Sequence, residues 1–144
     1  MKHIIFTGKP NTGKSLFAKM IFGGRKTVVL SGRTFDVENN FFQFDLCKRI
    51  FIYDTLIIDD VKANFDFKSL DLISCHHEMI ISRKNRDMEI IKTPRFVIIT
   101  NHTEKIPTDN SFRSRFKIID FDKNTIADLT KLIAEEKIII ELNH

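Results

Sequence analysis

A chain of 144 residues with 42% hydrophobic and 29% charged side chains has the length and composition of one globular domain, not of a disordered or collagen-like segment. Two cysteines, Cys47 and Cys75, are too few for a secreted disulfide framework, and no apolar run approaches the ~20 residues of a membrane span. Twenty-three Lys+Arg against 19 Asp+Glu leave a net charge of +4, a mild excess that permits a polyanionic partner.

His3 to Thr7 is a short apolar run halted by Gly8, the pattern of a buried strand. Leu16, Phe17, Met20 and Ile21 then recur at helical spacing from Lys14 to Phe22, and Gly23-Gly24 ends that helix. Thr27 to Leu30 predicts a second strand. Phe41, Phe42 and Phe44 mark a stretch of helical or irregular core. Thr55 to Ile58 predicts a strand running into Asp59-Asp60, and Phe67 to Ser74 a helix. Cys75-His76-His77 leads into a hairpin over 79–91, whose polar tip runs from Ser82 to Asp87. Arg95 to Thr100 is another apolar strand, and a loop holding Pro107, Asp109 and Asn110 follows it. Lys117 to Phe121 predicts one more strand, and Asn124 to Lys137 a helix. Strands alternating with helices give an α/β domain around a largely parallel sheet.

Four features carry chemistry. Gly8-Lys9-Pro10-Asn11-Thr12-Gly13-Lys14-Ser15 fits G-x-x-x-x-G-K-[ST] with a strand before it and a helix after it. The glycines let backbone N–H groups close around phosphate oxygens, the helix N-terminus adds its positive dipole end, Lys14 meets the β/γ phosphates, and Ser15 meets Mg²⁺. Asp59-Asp60 ends an apolar strand where a parallel sheet opens beside such a loop. Asp59 is then the Mg²⁺ carboxylate, and Asp60 the group that orients or deprotonates the attacking water. Asn101 ends the next strand, where it can hydrogen-bond the γ-phosphate. Arg113 and Arg115 follow, and an arginine lent by a neighbouring subunit stabilises transition-state charge.

In order and spacing these parts resemble the superfamily 3 helicases of small DNA viruses and plasmids, a branch of the AAA+ ATPases that includes papillomavirus-type and rolling-circle replication helicases. The likeness rests on the Gly8–Ser15 loop with its Asn-Thr before the second glycine, on Leu56-Ile-Ile-Asp-Asp60, and on Phe96-Val-Ile-Ile-Thr-Asn101. It rests most on Ile81-Ser-Arg83-Lys84-Asn85-Arg86 continuing to Ile90-Ile-Lys92-Thr-Pro94, which resembles that family's hairpin, and Phe112-Arg-Ser-Arg115 resembles its arginine-finger segment. The resemblance implies a P-loop NTPase fold with a hairpin insertion, and ATP hydrolysis at subunit interfaces. Lys14, Asp59, Asp60, Asn101 and Arg115 would be the catalytic set, with Arg113 as the fallback finger. Arg83, Lys84, Asn85 and Arg86 would contact single-stranded DNA as charges on its backbone.

The function expected on these grounds is an ATP- and Mg²⁺-dependent DNA helicase or translocase motor for a small replicon. It would be a homo-oligomer, in that family a hexamer, in the cytoplasm and away from membranes. The reading takes residues 1–144 as a single ATPase domain without the family's usual oligomerisation or origin-binding domain. The alternative is a switch-type AAA+ ATPase, a replication accessory or loader without processive unwinding.

Overall fold

Strands that are apolar on both faces are stable only when both faces are covered. The computed structural model, which describes residues 3–24, 26–35, 54–81, 89–124 and 126–142, meets that demand with helices on either side of one sheet. In chain order its elements are β1 (His3–Thr7), α1 (Lys14–Phe22), β2 (Thr27–Ser31), β3 (Thr55–Asp59), α2 (Phe67–Ser74), β4 (Glu78–Ile81), β5 (Glu89–Lys92), β6 (Arg95–Thr100), a 3-10 turn (Thr103–Lys105), α3 (Asn110–Arg115), β7 (Phe116–Asp120) and α4 (Ile126–Leu142).

Five strands form a sheet in the order β2-β3-β6-β1-β7, and every neighbouring pair is parallel. Alternation along each strand sends successive side chains to opposite faces. Ile5, Leu56, Ile58, Phe96 and Ile98 pack with Phe67 and Leu70 of α2 and Phe112 of α3. Ile4, Phe6, Ile57, Val97 and Ile99 pack with Ala18, Ile21 and Phe22 of α1, and Leu129, Leu132 and Ile133 of α4 lie against that cluster. On this second face Phe6, Phe17 and Phe121 make three mutual edge-to-face contacts, at 5.3 to 5.7 Å between ring centroids. That trio fixes the start of α1 and the turn after β7 against the end of β1. β4 and β5 pair antiparallel as a separate ribbon, with Glu78 opposite Lys92, so the predicted hairpin forms.

Two expectations change. The loop expected to hold Pro107, Asp109 and Asn110 gives way at Asn110 to a helix not expected there, α3, whose N-terminus is closed by Asp109 accepting from the Phe112 N–H at 3.1 Å. Six residues give too few turns for a periodicity to show, though the Asp cap was there to read. The last helix runs from Ile126 to Leu142, starting and ending later than expected. The Phe41–Phe44 stretch lies outside the described residues.

At the other end of β1, His3 is buried between the rings of Phe96 and Phe116, at 5.2 and 5.1 Å. Its Nδ1 accepts the Phe96 N–H at 2.9 Å, which places the ring proton on Nε2, facing the Ser74 carbonyl at 3.3 Å. Burial pushes its pKa from 6.5 down to about 4. Folding therefore favours the neutral ring: this stabilisation is complete above pH 6.5 and is lost as the pH falls towards 4. At 1.36 kcal/mol per pKa unit the loss reaches about 3 kcal/mol. Urea unfolding at pH 7.5 and 4.5 should show it as a drop in midpoint. His3→Asn, which keeps an acceptor for the Phe96 amide, should remove that share of the pH dependence; an unaltered pH profile would contradict the assignment.

Candidate functional site

Because the sheet is parallel, β1, β3, β6 and β7 deliver their following loops to one edge. Thr7 is level with Thr100 and with Asp120, so Gly8, Asn101 and Phe121 emerge side by side. One strand further on, Ile58 is level with Ile98, and the Val61 N–H bonds to the Ile99 carbonyl at 3.1 Å. The acidic pair therefore enters the same edge from the β3 side.

The Gly8–Ser15 loop has three residues at left-handed φ: Gly8 at 143°, Asn11 at 62° and Gly13 at 84°. Left-handed residues set among right-handed ones turn successive N–H groups to one side, which makes a concave anion site. A Cβ at Gly8 would also meet Phe121 and the Asp122 carboxylate at 3.2 and 3.3 Å, so a side chain there would press on both besides straining the backbone. Gly13 is the N-cap of α1, with no side chain capping it and no acid in the first turn. The helix thus presents open N–H groups and an unopposed dipole towards the loop.

Lys14 is buried to 5% exposure. Its Nζ donates to the Lys9 carbonyl at 2.5 Å and to Thr12 Oγ1 at 3.1 Å, folding the ammonium over its own loop. Burial lowers its pKa, opposed by the charges of Asp122, Asp60 and Asp59. Ser15 Oγ donates to Asp59 Oδ1 at 2.7 Å, while Lys19, one turn along α1, stands 3.5 Å from Asp59 Oδ2. A hydroxyl and a carboxylate converging in this way are the oxygen donors a hard divalent cation takes. Asp60 holds a left-handed φ of 59°, and its carboxylate accepts from Arg33 Nε at 2.8 Å. Asn101 is half-buried just beyond β6.

The structure thus brings together Gly8 to Ser15, Asp59, Asp60 and Asn101. Arg115 is elsewhere, at the end of the sheet where β7 begins. Its Nε and Nη2 grip both oxygens of Asp71 on α2 at 2.6 Å, and Nη2 also donates to Ser111. Arg113 is exposed, with Nε donating to the Pro107 carbonyl at 2.9 Å. Arg83, Lys84, Asn85 and Arg86 lie outside the described residues. No helix among the described residues is long and apolar enough to cross a membrane.

Residues 6–115 match the family described as "Family of unknown function (DUF5906)". The chain belongs to that family. Among solved structures it is similar to the one titled "The A form apo structure of NrS-1 C terminal region-CTR", with a TM-score of 0.54 and 20% sequence identity over 94% of this chain. The likeness is one of fold, and the matched part is 34% of that chain, so the present sequence spans about a third of its length. No curated protein sequence is matched.

Three side chains of this DUF5906 domain's site were not singled out from the sequence: Lys19, Arg33 and Asp122. Lys19 follows Ser15 by four residues on a helix, a spacing that places both on one face and was readable. Arg33 and Asp122 carry no such mark, because their positions depend on which strands are neighbours. The glycine beside Arg33 is part of the same geometry: a Cβ on Gly32 would lie 2.6 Å from the Val61 backbone, so the turn after β2 packs directly on the turn after β3.

Proposed function

We propose that this chain is the ATPase core of a superfamily 3-type DNA motor, a P-loop NTPase that hydrolyses ATP with Mg²⁺ at the interface between copies of itself during replication of a small replicon. The observation that carries the reading is the Ser15–Asp59 hydrogen bond. It joins the hydroxyl that ends the phosphate-loop motif to the carboxylate that ends an apolar strand 44 residues later. The five-strand parallel order and the left-handed loop support it. So does the resemblance of the motifs, which supplies the DNA part of the proposal.

In this reading the loop amides and Lys14 bind the phosphate oxygens. Lys14 exchanges its bonds to Lys9 and Thr12 for those oxygens. Ser15 and Asp59 would hold Mg²⁺, which supplies charge neutralisation on the phosphates. Asp60, once turned from Arg33, orients the attacking water and accepts its proton; Asn101 marks the γ-phosphate. Arg115 is committed to Asp71, so the exposed Arg113 is the better candidate to reach a neighbouring copy's site. Arg83 to Arg86, carried between β4 and β5, would contact single-stranded DNA, and the assembly would be a hexamer.

Phosphate release by the purified chain, with and without Mg²⁺ and a single-stranded oligonucleotide, tests this. Release should need Mg²⁺, rise with protein concentration and rise again with DNA. Arg113→Ala should lower it by about 10³-fold with ATP binding intact, the scale of arginine fingers elsewhere. Absence of hydrolysis at every concentration would refute the ATPase. Hydrolysis without strand displacement would favour the switch-type alternative over the motor.

A further inference from the structure

Beside the phosphate loop stands a carboxylate that neither motif contains. Asp122 lies on the turn between β7 and α4, and the Lys9 N–H donates to both of its oxygens at 3.2 Å. The turn that presents it is itself fixed. The Phe121 N–H bonds to the Thr7 carbonyl at 2.8 Å, the Asp122 N–H to Asp120 Oδ1 at 2.9 Å, and Asn124 Nδ2 to the Asp120 carbonyl at 2.7 Å. The Phe121 ring is held by Phe6 and Phe17. Lys9 then passes this restraint on, because its carbonyl receives both Lys14 Nζ and Thr12 Oγ1, the latter at 2.9 Å.

By charge alone Asp122 is out of place, since a carboxylate next to an anion cradle repels the phosphates it would admit. Asp122 is also the strongest of the charges acting on Lys14, ahead of Asp60 and Asp59. We infer that Asp122 is a positioning residue for nucleotide binding: it anchors Lys9, and through Lys9 holds the loop backbone in its phosphate-accepting arrangement. This rests on the nucleotide-binding reading above. The two roles of the carboxylate have opposite signs, which makes them separable. Removing a repelling charge tightens binding of a polyanion; removing an anchor weakens it.

The test is the affinity of the full chain for a fluorescent ATP analogue with Mg²⁺, for the wild type, Asp122→Ala, Asp122→Asn and Lys14→Ala, with the thermal midpoint of each. Asp122→Ala should weaken binding about fivefold or more despite losing a negative charge, on the scale of a lost charge-assisted hydrogen bond at an exposed site. Asp122→Asn keeps an oxygen to accept the Lys9 N–H, and should bind at least as tightly as the wild type. Thermal midpoints should stay together, since Asp120 and Asn124 still hold the turn. Asp122→Ser, too short to span to Lys9, should behave like Ala and serves if the Ala variant does not fold. Binding by Asp122→Ala that equals or exceeds the wild type overturns the anchoring role. A wild type that binds no analogue, or a Lys14→Ala that binds like the wild type, overturns the nucleotide reading itself and the role of Asp122 with it.

Discussion

Lys14→Ala should weaken ATP binding and abolish turnover, the largest functional effect expected of a single change in this chain. The ammonium is held inside the loop by Lys9 and Thr12, at the place where an anion would enter the concave array of N–H groups. A hydrogen bond between charged partners contributes about 1.5–3 kcal/mol, so its loss corresponds to roughly 10- to 150-fold in affinity before any loss of transition-state stabilisation. Asp60→Asn should behave differently. It leaves the loop untouched and should keep binding, but removes the proposed base, and should slow hydrolysis by about 10²–10⁴-fold. Calorimetric ATP titration beside phosphate release separates the two variants. Parental hydrolysis by Lys14→Ala would show that the loop does not serve ATP.

Gly32→Ala should damage both the fold and the site. Its Cβ would stand 2.6 Å from both Cα and N of Val61 and 2.7 Å from Cγ1, and two of these are backbone atoms that cannot swing aside. The Gly32 N–H also donates to the Asp59 carbonyl, so relief of the clash pulls the turn after β2 away from the acidic pair. Overpacking of this kind costs about 1–3 kcal/mol, which for a domain of this size lowers the thermal midpoint by roughly 3–10 °C. Hydrolysis should fall further than stability, because Arg33 and Asp59 move with the turn. Gly24→Ala is the control: a Cβ there meets nothing within 4 Å, and its midpoint should be unchanged. Equal midpoints for the two variants would mean that the turns are not in contact.

Much of the sheet was legible because its strands are apolar on both faces. His3–Thr7, Thr55–Asp59 and Arg95–Thr100 stand out against polar flanks, and α1 begins where Gly13-Lys14 said it should. The hairpin was legible for the same reason, its two apolar arms bracketing a polar tip. What could not be read was the lateral order. Nothing in the run Thr27–Ser31 says that it borders β3 at the sheet's edge, and that neighbourhood is what brings Arg33 to Asp60. Asp122 was hidden in the same way: 113 residues separate it from Lys9, and only the register of β1 against β7 brings them together. Arg115 shows the converse. The segment Phe112-Arg-Ser-Arg115 suggested a role by resemblance, whereas the geometry gives the Arg115 guanidinium an intrachain partner in Asp71.

The placing of β1 between β6 and β7 has a consequence for how the protein is made. Ile4 has Val97 on one side and Lys117 on the other, so β1 has no neighbour until β6 has been made. At about 5–20 residues per second on a ribosome, roughly 5–20 s pass between β1 and the first strand able to pair with it. Throughout that interval Ile4, Ile5 and Phe6 have both edges open, and such edges template pairing with other chains. A chain whose synthesis stops before Phe116 never closes the second edge of β1. Such truncated products should therefore aggregate, including those that extend past Asp60 and contain every residue of the Gly8–Ser15 loop and the acidic pair.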